Sequence, residues 1–266
     1  MTMKFFKNIA LALTATAALT GAVMAAGAAK HPIQQKWSFD GAFGKYDRAS
    51  AQRGWQVYKQ VCSACHSLKY FRFRNLAELG YSEDMIKAFA AEYEVAGEPD
   101  DAGDETVRNA LPQDAFPAPF ANENAARASN GGALPPDLSL LAKARHDGSN
   151  YLFSILTGYE DAPAGFELSA GKNYNPYFKG GQISMAPPLA EGIVEYEDGT
   201  AATPEQMARD VTMFLTYVAE PKLEDRHRMG MNVLIFLGIL SIILYLSMKK
   251  IWKPVKEGKN FYDDAE

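Results

Sequence analysis

The chain has 266 residues, room for one large domain or two small ones. Its 47% apolar and 22% charged composition is ordinary for a globular protein and singles out no class. A formal net charge of −5 argues against a nucleic-acid partner and points instead toward a basic one. Mean hydropathy is mildly negative although both ends are strongly apolar, so the middle reads as a water-soluble body.

At the N-terminus, Lys4 and Lys7 precede the apolar run Ile9–Leu13, and small residues close it at Val23–Ala26. A charged start, a short apolar core and a small-residue exit make a secretory signal peptide. The expected boundary is residues 1–26, with a mature chain from 27 that lies outside the cytoplasm. Loss of Lys4 and Lys7 leaves that mature chain more acidic still.

From about Asp47 to Cys65, apolar residues Ala51, Trp55, Tyr58 and Val61 recur at helical intervals. Gly54 interrupts this helix, and a mid-helix glycine often marks a close crossing by another helix. The helix leads into Val61-Cys62-Ser63-Ala64-Cys65-His66, which holds the only two cysteines of the chain. Cys-x-x-Cys-His is the pattern of c-type haem attachment. On a helical turn, positions i, i+3 and i+4 share one face, so two thiols reach one porphyrin while the imidazole meets its iron. Two other readings compete. A Cys-x-x-Cys pair can be a thiol–disulfide redox site, although no strand precedes it as in thioredoxin-like folds. It can be half of a zinc site, but no second pair exists and His31, His146 and His227 are scattered.

Residues 82–93 again look helical and contain Met85. Glu92, Glu94, Glu98, Asp100, Asp101, Asp104 and Glu105 then form an acidic stretch, which can dock a basic partner or simply be solvated.

The ligand opposite His66 decides the chemistry: an open position permits small-molecule binding, as in a peroxidase, whereas a protein ligand restricts the iron to electron transfer. Met1, Met3 and Met24 leave with the signal, and Met229, Met231 and Met248 belong to the C-terminal apolar run. Met207 and Met213 lie on a late helix where Met fills core gaps. Met185 remains, in Gly180–Leu189, between glycines before it and Pro187-Pro188 after it. Such a stiff loop presents one thioether at a fixed point. His146 is the second candidate, in a turn-like His-Asp-Gly.

The late helix is expected over Pro204–Ala219. Thr203 caps it, Pro204 suits its first position and Glu205 favours its N-terminal end. Met207, Val211, Phe214, Leu215 and Val218 form its stripe, a natural surface to cross at Gly54. Finally, Met229–Met248 carries no charged residue and at about 1.5 Å per residue spans roughly 30 Å, the thickness of a bilayer core. Tyr245 and Trp252 suit the interface, and Lys249, Lys250, Lys253 and Lys256 follow. The expected division is a body over 27–228, a transmembrane helix over 229–248 and a cytoplasmic tail over 249–266.

The ordered blocks Arg53–Cys62, Asn130–Ser139 continuing to His146, Tyr174–Phe178, Met185–Pro188, Val194–Gly199 and Ala219–Pro221 resemble the cytochrome c1 family, the haem subunit of ubiquinol–cytochrome c oxidoreductase. The resemblance covers most of the mature chain. It implies a mostly α, cytochrome c-like haem domain with insertions, plus one C-terminal transmembrane helix. It further implies one covalently attached haem c on Cys62 and Cys65, with His66 and Met185 as iron ligands. Asn130, Pro135 and Pro136 are expected along the haem crevice, and Arg145 and Tyr151 near the propionates. An Arg fork also suits a carboxylate on independent grounds. Electrons are expected from a Rieske iron–sulfur protein and pass to a soluble or tethered cytochrome c. Cytochrome b is the neighbouring membrane subunit, in a dimeric complex of a bacterial-type inner membrane with the haem domain on the periplasmic side. No substrate bond is expected to be made or broken on the chain itself. Some relatives carry extra cysteines; here both thiols are committed to haem and no structural disulfide can form.

Overall fold

A computed structural model describes residues 29–258; the expected signal peptide and the last residues of the tail lie outside them. The chain divides into two compact units. One comprises residues up to Lys36 together with Asp47–Glu220, and the other Trp37–Tyr46 together with the chain from Pro221 onward.

The first unit is mostly helical. Helix α1 (Arg48–Gln60) starts where the Asp47 carboxylate accepts from Ser50 N–H at 3.1 Å. It ends earlier than its periodicity suggests: Cys62–Ala64 tighten into a 3₁₀ turn. A second 3₁₀ segment, Phe73–Leu79, leads to α2 (Glu83–Ala91), capped by Ser82 and opened by Glu83 and Asp84. The acidic stretch folds into an antiparallel hairpin, β1 (Glu94–Ala96) and β2 (Val107–Asn109), with Val95 opposite Arg108. Then come α3 (Glu123–Ser129), the short α4 (Leu141–Ala144) and α5 (Gly148–Thr157). A two-residue ladder joins β3 (Asn173–Tyr174) to β4 (Gln182–Ile183). Helix α6 (Pro204–Ala219) begins as expected: the Thr203 hydroxyl accepts from Gln206 N–H at 3.2 Å, and Pro204 opens the helix.

The core forms where α6 lies across α1. Trp55 and Tyr58 from α1 meet Phe214 from α6 with centroids 5.8 and 5.9 Å apart. Phe71, Phe73 and Phe116 complete the aromatic cluster. Gly54 is the crossing point, for a Cβ there would stand 2.0 Å from the Asp210 carbonyl oxygen and 2.7 Å from Phe214 Cβ. Helix α6 is buried beyond the expected stripe. Asp210, Thr212 and Thr216 are enclosed too, because α1, α4 and α5 all pack on it. The Asp210 carboxylate accepts from Ser50 Oγ at 2.6 Å, Arg53 Nε at 2.8 Å and Gln206 Nε2 at 3.0 Å. A charge buried this way is tolerable only because it is paired and fully hydrogen-bonded. Residues 30–35, which carry no periodic signal, lie along α5: Ile33 N–H donates to Ser154 Oγ at 2.7 Å and Gln35 N–H to Asn150 Oδ1 at 3.1 Å.

In the second unit, α7 (Leu223–Lys256) extends the apolar run by a polar turn before it and a basic turn after it. It is the one described helix long and apolar enough to cross a membrane. The Trp37–Tyr46 loop is tied to its first turns: Tyr46 N–H donates to Glu224 Oε1 at 2.9 Å, and the Gly44 carbonyl lies 3.4 Å from His227 Nδ1.

Candidate haem site

The site starts at the end of α1. Cys65 N–H and His66 N–H both donate to the Cys62 carbonyl, at 3.1 and 2.9 Å. At three residues per turn, side chains at i and i+3 eclipse, so the 3₁₀ turn stacks Cys62 and Cys65 on one side more directly than an α-turn does. Both thiols are free, and the pair follows a helix, not a strand. Burial, aided by the neighbouring Cys65, pushes the Cys62 thiol up to about 12.

His66 is oriented from a distance in sequence. Its Nδ1 lies 2.8 Å from the Pro136 carbonyl oxygen. A carbonyl only accepts, so Nδ1 carries the proton and Nε2 keeps its lone pair. Burial lowers the His66 pKa, against the opposing effects of that hydrogen bond and of Asp137, and keeps the ring neutral. The Pro136 segment is stitched to the segment after His66. The Asp137 carboxylate accepts from Ser67 Oγ at 2.7 Å, Lys69 N–H at 2.9 Å and Ser139 N–H at 2.9 Å. Leu138 N–H donates to Ser67 O at 2.9 Å. Tyr58 Oη donates to the His66 carbonyl at 2.9 Å. Burial opposes ionisation of Asp137, but the hydrogen bonds from Lys69, Ser67 and Ser139 outweigh it and hold the pKa below the usual carboxylate value.

Pro135 and Pro136 line, with Cys65, one open cleft of about 170 Å³. Asn130 stands at the end of α3, where its side-chain amide donates to Ala126 O at 2.7 Å. Gly131 and Gly132 follow with φ of +58° and +85°, turning the chain toward the prolines. That bond takes one amide hydrogen and leaves the second N–H and the carbonyl oxygen of the Asn130 side chain available. Arg145, exposed at the end of α4, donates to the Ala144 carbonyl at 3.1 Å; among the described residues it meets no carboxylate. Tyr151 is half-buried on α5. His146 is exposed.

Met185 is half-buried just beyond β4. Its carbonyl accepts from Tyr159 Oη at 3.1 Å and from Asn173 Nδ2 at 3.3 Å. Lys172 Nζ donates to Ser184 Oγ at 2.5 Å. These three residues, with Asp137, form the support that sequence reading missed. Asp137 lies inside the Asn130–Ser139 block but carries no ligand signature of its own, and no motif marks Tyr159, Lys172 or Asn173, each of which acts across a loop through a single hydrogen bond.

Two thiols carried on one turn, a neutral imidazole with its lone pair released, and a backbone-held thioether suit a covalently attached haem. The comparison with known proteins decides the family: residues 37–255 match the model described as the Cytochrome C1 family. The chain belongs to the cytochrome c1 family. It is 49% identical to cytochrome c1 of Rhodospirillum rubrum over 239 residues, covering 84% of this chain and 88% of that one. It is 47% identical to the mitochondrial cytochrome b-c1 complex catalytic subunit of Candida albicans, covering 91% and 84%. It is also similar, at 44% identity, to the cytochrome b/c1 of Bradyrhizobium diazoefficiens, covering 94% of this chain and 40% of that longer protein. As in other cytochrome c1 proteins, the cofactor is a covalently bound haem c.

Proposed function

We propose that the chain is the electron-carrying haem subunit of a cytochrome b-c1 complex. In this reading Cys62 and Cys65 tether the haem, His66 and Met185 ligate its iron, and α7 anchors the exported body as a single-pass membrane protein with its haem domain on the periplasmic side. Electrons arrive from a Rieske iron–sulfur protein and leave to a soluble or tethered cytochrome c. Cytochrome b is the adjoining membrane subunit, and the complex is dimeric. The names of the Candida and Bradyrhizobium relatives support the complex. The observation that carries the site is the 2.8 Å contact between His66 Nδ1 and the Pro136 carbonyl, which commits one ring nitrogen and frees the other for a metal.

The bound haem supplies a one-electron couple at iron. The protein's work is to hold its surroundings constant. The Cys62–His66 turn fixes the point of attachment. Tyr159 and Asn173 hold the Met185 backbone, so that the soft thioether stays in place and favours the reduced state. Pro135 and Pro136 give the cleft an apolar wall with one fewer donor per residue. Arg145 has donors to spare for an acidic propionate-type group.

The test is spectroscopic. Haem that survives denaturation and washing, with a native low-spin spectrum inert to carbon monoxide, is the expected result. Haem lost on washing refutes the tether, and carbon monoxide binding by the native reduced protein refutes Met185 as a lasting ligand.

A further inference from the structure

The Trp37–Tyr46 loop is aromatic and closed by its own hydrogen bonds. Trp37 stacks on Phe39 with centroids 5.6 Å apart, and Phe39 meets Tyr46 at 5.6 Å; all three rings are buried. The backbone is closed by Asp40 N–H to Trp37 O, Gly44 N–H to Gly41 O and Lys45 N–H to Ser38 O. The Asp40 carboxylate accepts from Trp37 N–H at 3.0 Å. Gly41 takes a φ of +79°, and a Cβ on Gly44 would lie 2.1 Å from the Phe39 carbonyl. The fourth aromatic ring, Phe43, is turned outward and is 79% exposed, the most exposed large apolar side chain among the described residues.

The height of the loop along α7 shows what covers Phe43. Tyr46 is bonded to Glu224, and Gly44, two residues earlier, lies against His227. The loop therefore descends about one helical turn toward the apolar run as it is followed back from Tyr46. Phe43 is the next residue, and Met229 begins the apolar run two positions beyond His227. The exposed ring is thus level with the start of the membrane-spanning stretch, where aromatic residues favour the boundary between headgroups and acyl chains.

We propose that the Trp37–Tyr46 loop is a second membrane contact, with the Phe43 ring seated in lipid beside the first turn of the apolar run of α7. The inference rests on the reading of α7 as a membrane span. The occupant is lipid, because Phe43 stands one residue from the Gly44–His227 contact and so lies at the level of Met229, where the apolar run long enough to cross a bilayer begins.

The experiment uses the full-length haem-loaded chain in phosphatidylcholine nanodiscs, with a nitroxide on Phe43→Cys. Leu240→Cys, within the apolar run, and Val107→Cys, 73% exposed on β2, are labelled in parallel. The two native thiols are held by haem and do not compete for label. Accessibility to dissolved oxygen relative to a water-soluble nickel chelate is measured at each site. The expected ratio at Phe43→Cys is about threefold or more above that at Val107→Cys, approaching Leu240→Cys. A ratio equal to that at Val107→Cys overturns the proposal while leaving the span intact. A low ratio at Leu240→Cys removes the span and the proposal with it. Shielding from both reagents in the intact complex identifies a protein surface as the occupant and overturns the lipid assignment.

Discussion

Replacing Gly54 by Ala probes the crossing on which the Cys62–His66 turn depends. Considered as a lone helix, α1 gains from this change, because Ala exceeds Gly by about 1 kcal/mol in helix propensity. The fold turns that gain into a loss. The new methyl stands 2.0 Å from the Asp210 carbonyl oxygen and 2.6 Å from its carbon, and ordinary contact begins at 3.4 Å. Both obstacles are backbone, so no rotamer change relieves them. The helices must separate, and the packing of Trp55 and Tyr58 on Phe214 loosens with them. Overpacking of this kind costs about 1–3 kcal/mol, occasionally more, and the upper end applies where the obstacle is main chain. After the propensity gain, a net loss of about 2 kcal/mol remains, which for a body of this size lowers Tm by about 4–8 °C. The assay is thermal unfolding of the haem-loaded chain followed by far-ultraviolet circular dichroism at one scan rate. Gly230→Ala on α7, where a Cβ meets nothing within 4 Å, is the comparison and should not lower Tm. A Gly54→Ala protein melting at or above its parent refutes the close crossing.

Three further predictions concern the site. Met185→Leu should lower the haem potential by on the order of a tenth of a volt or more, within the roughly 0.8 V that axial ligands span, and should let the reduced iron bind carbon monoxide; an unchanged potential removes Met185 from the iron. The double variant Tyr159→Phe with Asn173→Ala takes both hydrogen bonds from the Met185 carbonyl. At about 1 kcal/mol each, their loss should raise the fraction with Met185 detached roughly thirtyfold, read as faster carbon monoxide binding; parental kinetics show that the two donors hold nothing. Asp137 has a folded pKa below its unfolded value of about 4, so its contribution to stability is present above that value. It is lost as pH falls through the folded pKa. Denaturant titrations should show stability falling below about pH 4 in the parent and a flatter profile over that window in Asp137→Asn, and equal slopes refute the role given to the carboxylate.

What was legible in the sequence was local. The Cys62, Cys65 and His66 pattern stands out because Cys-x-x-Cys-His is a short local string whose spacing is set within one turn. The start of α6 is written in Thr203-Pro204-Glu205, since capping is decided within one turn. Gly54 was readable as a crossing because a glycine costs a helix stability unless something needs the space. The full burial of α6 was not readable: Asp210, Thr212 and Thr216 look like an outer face, and only the pairing of Asp210 with Ser50, Arg53 and Gln206 makes its burial possible. Likewise, nothing in the spacing of Tyr159, Asn173 and Met185 announces that two side chains converge on one carbonyl. The end of α1 was misplaced by a few residues because the 3₁₀ turn at Cys62–Ala64 keeps nearly helical spacing. Asn130 sits in a readable loop, but its amide turns back to α3.

The contact between His66 and Pro136 bridges 70 positions of chain, whereas the Cys62–His66 turn closes on itself. On the proposed assignment these are two different moments in the life of the molecule. The thiols are presented together as soon as the local turn forms, so a nascent, largely open chain can already receive its haem. The imidazole acquires its tautomer and direction only after the distant proline segment has docked and the entropy of closing that long loop has been spent. Capture of the haem is therefore a local event, while the ligand environment that tunes it is a property of the completed fold.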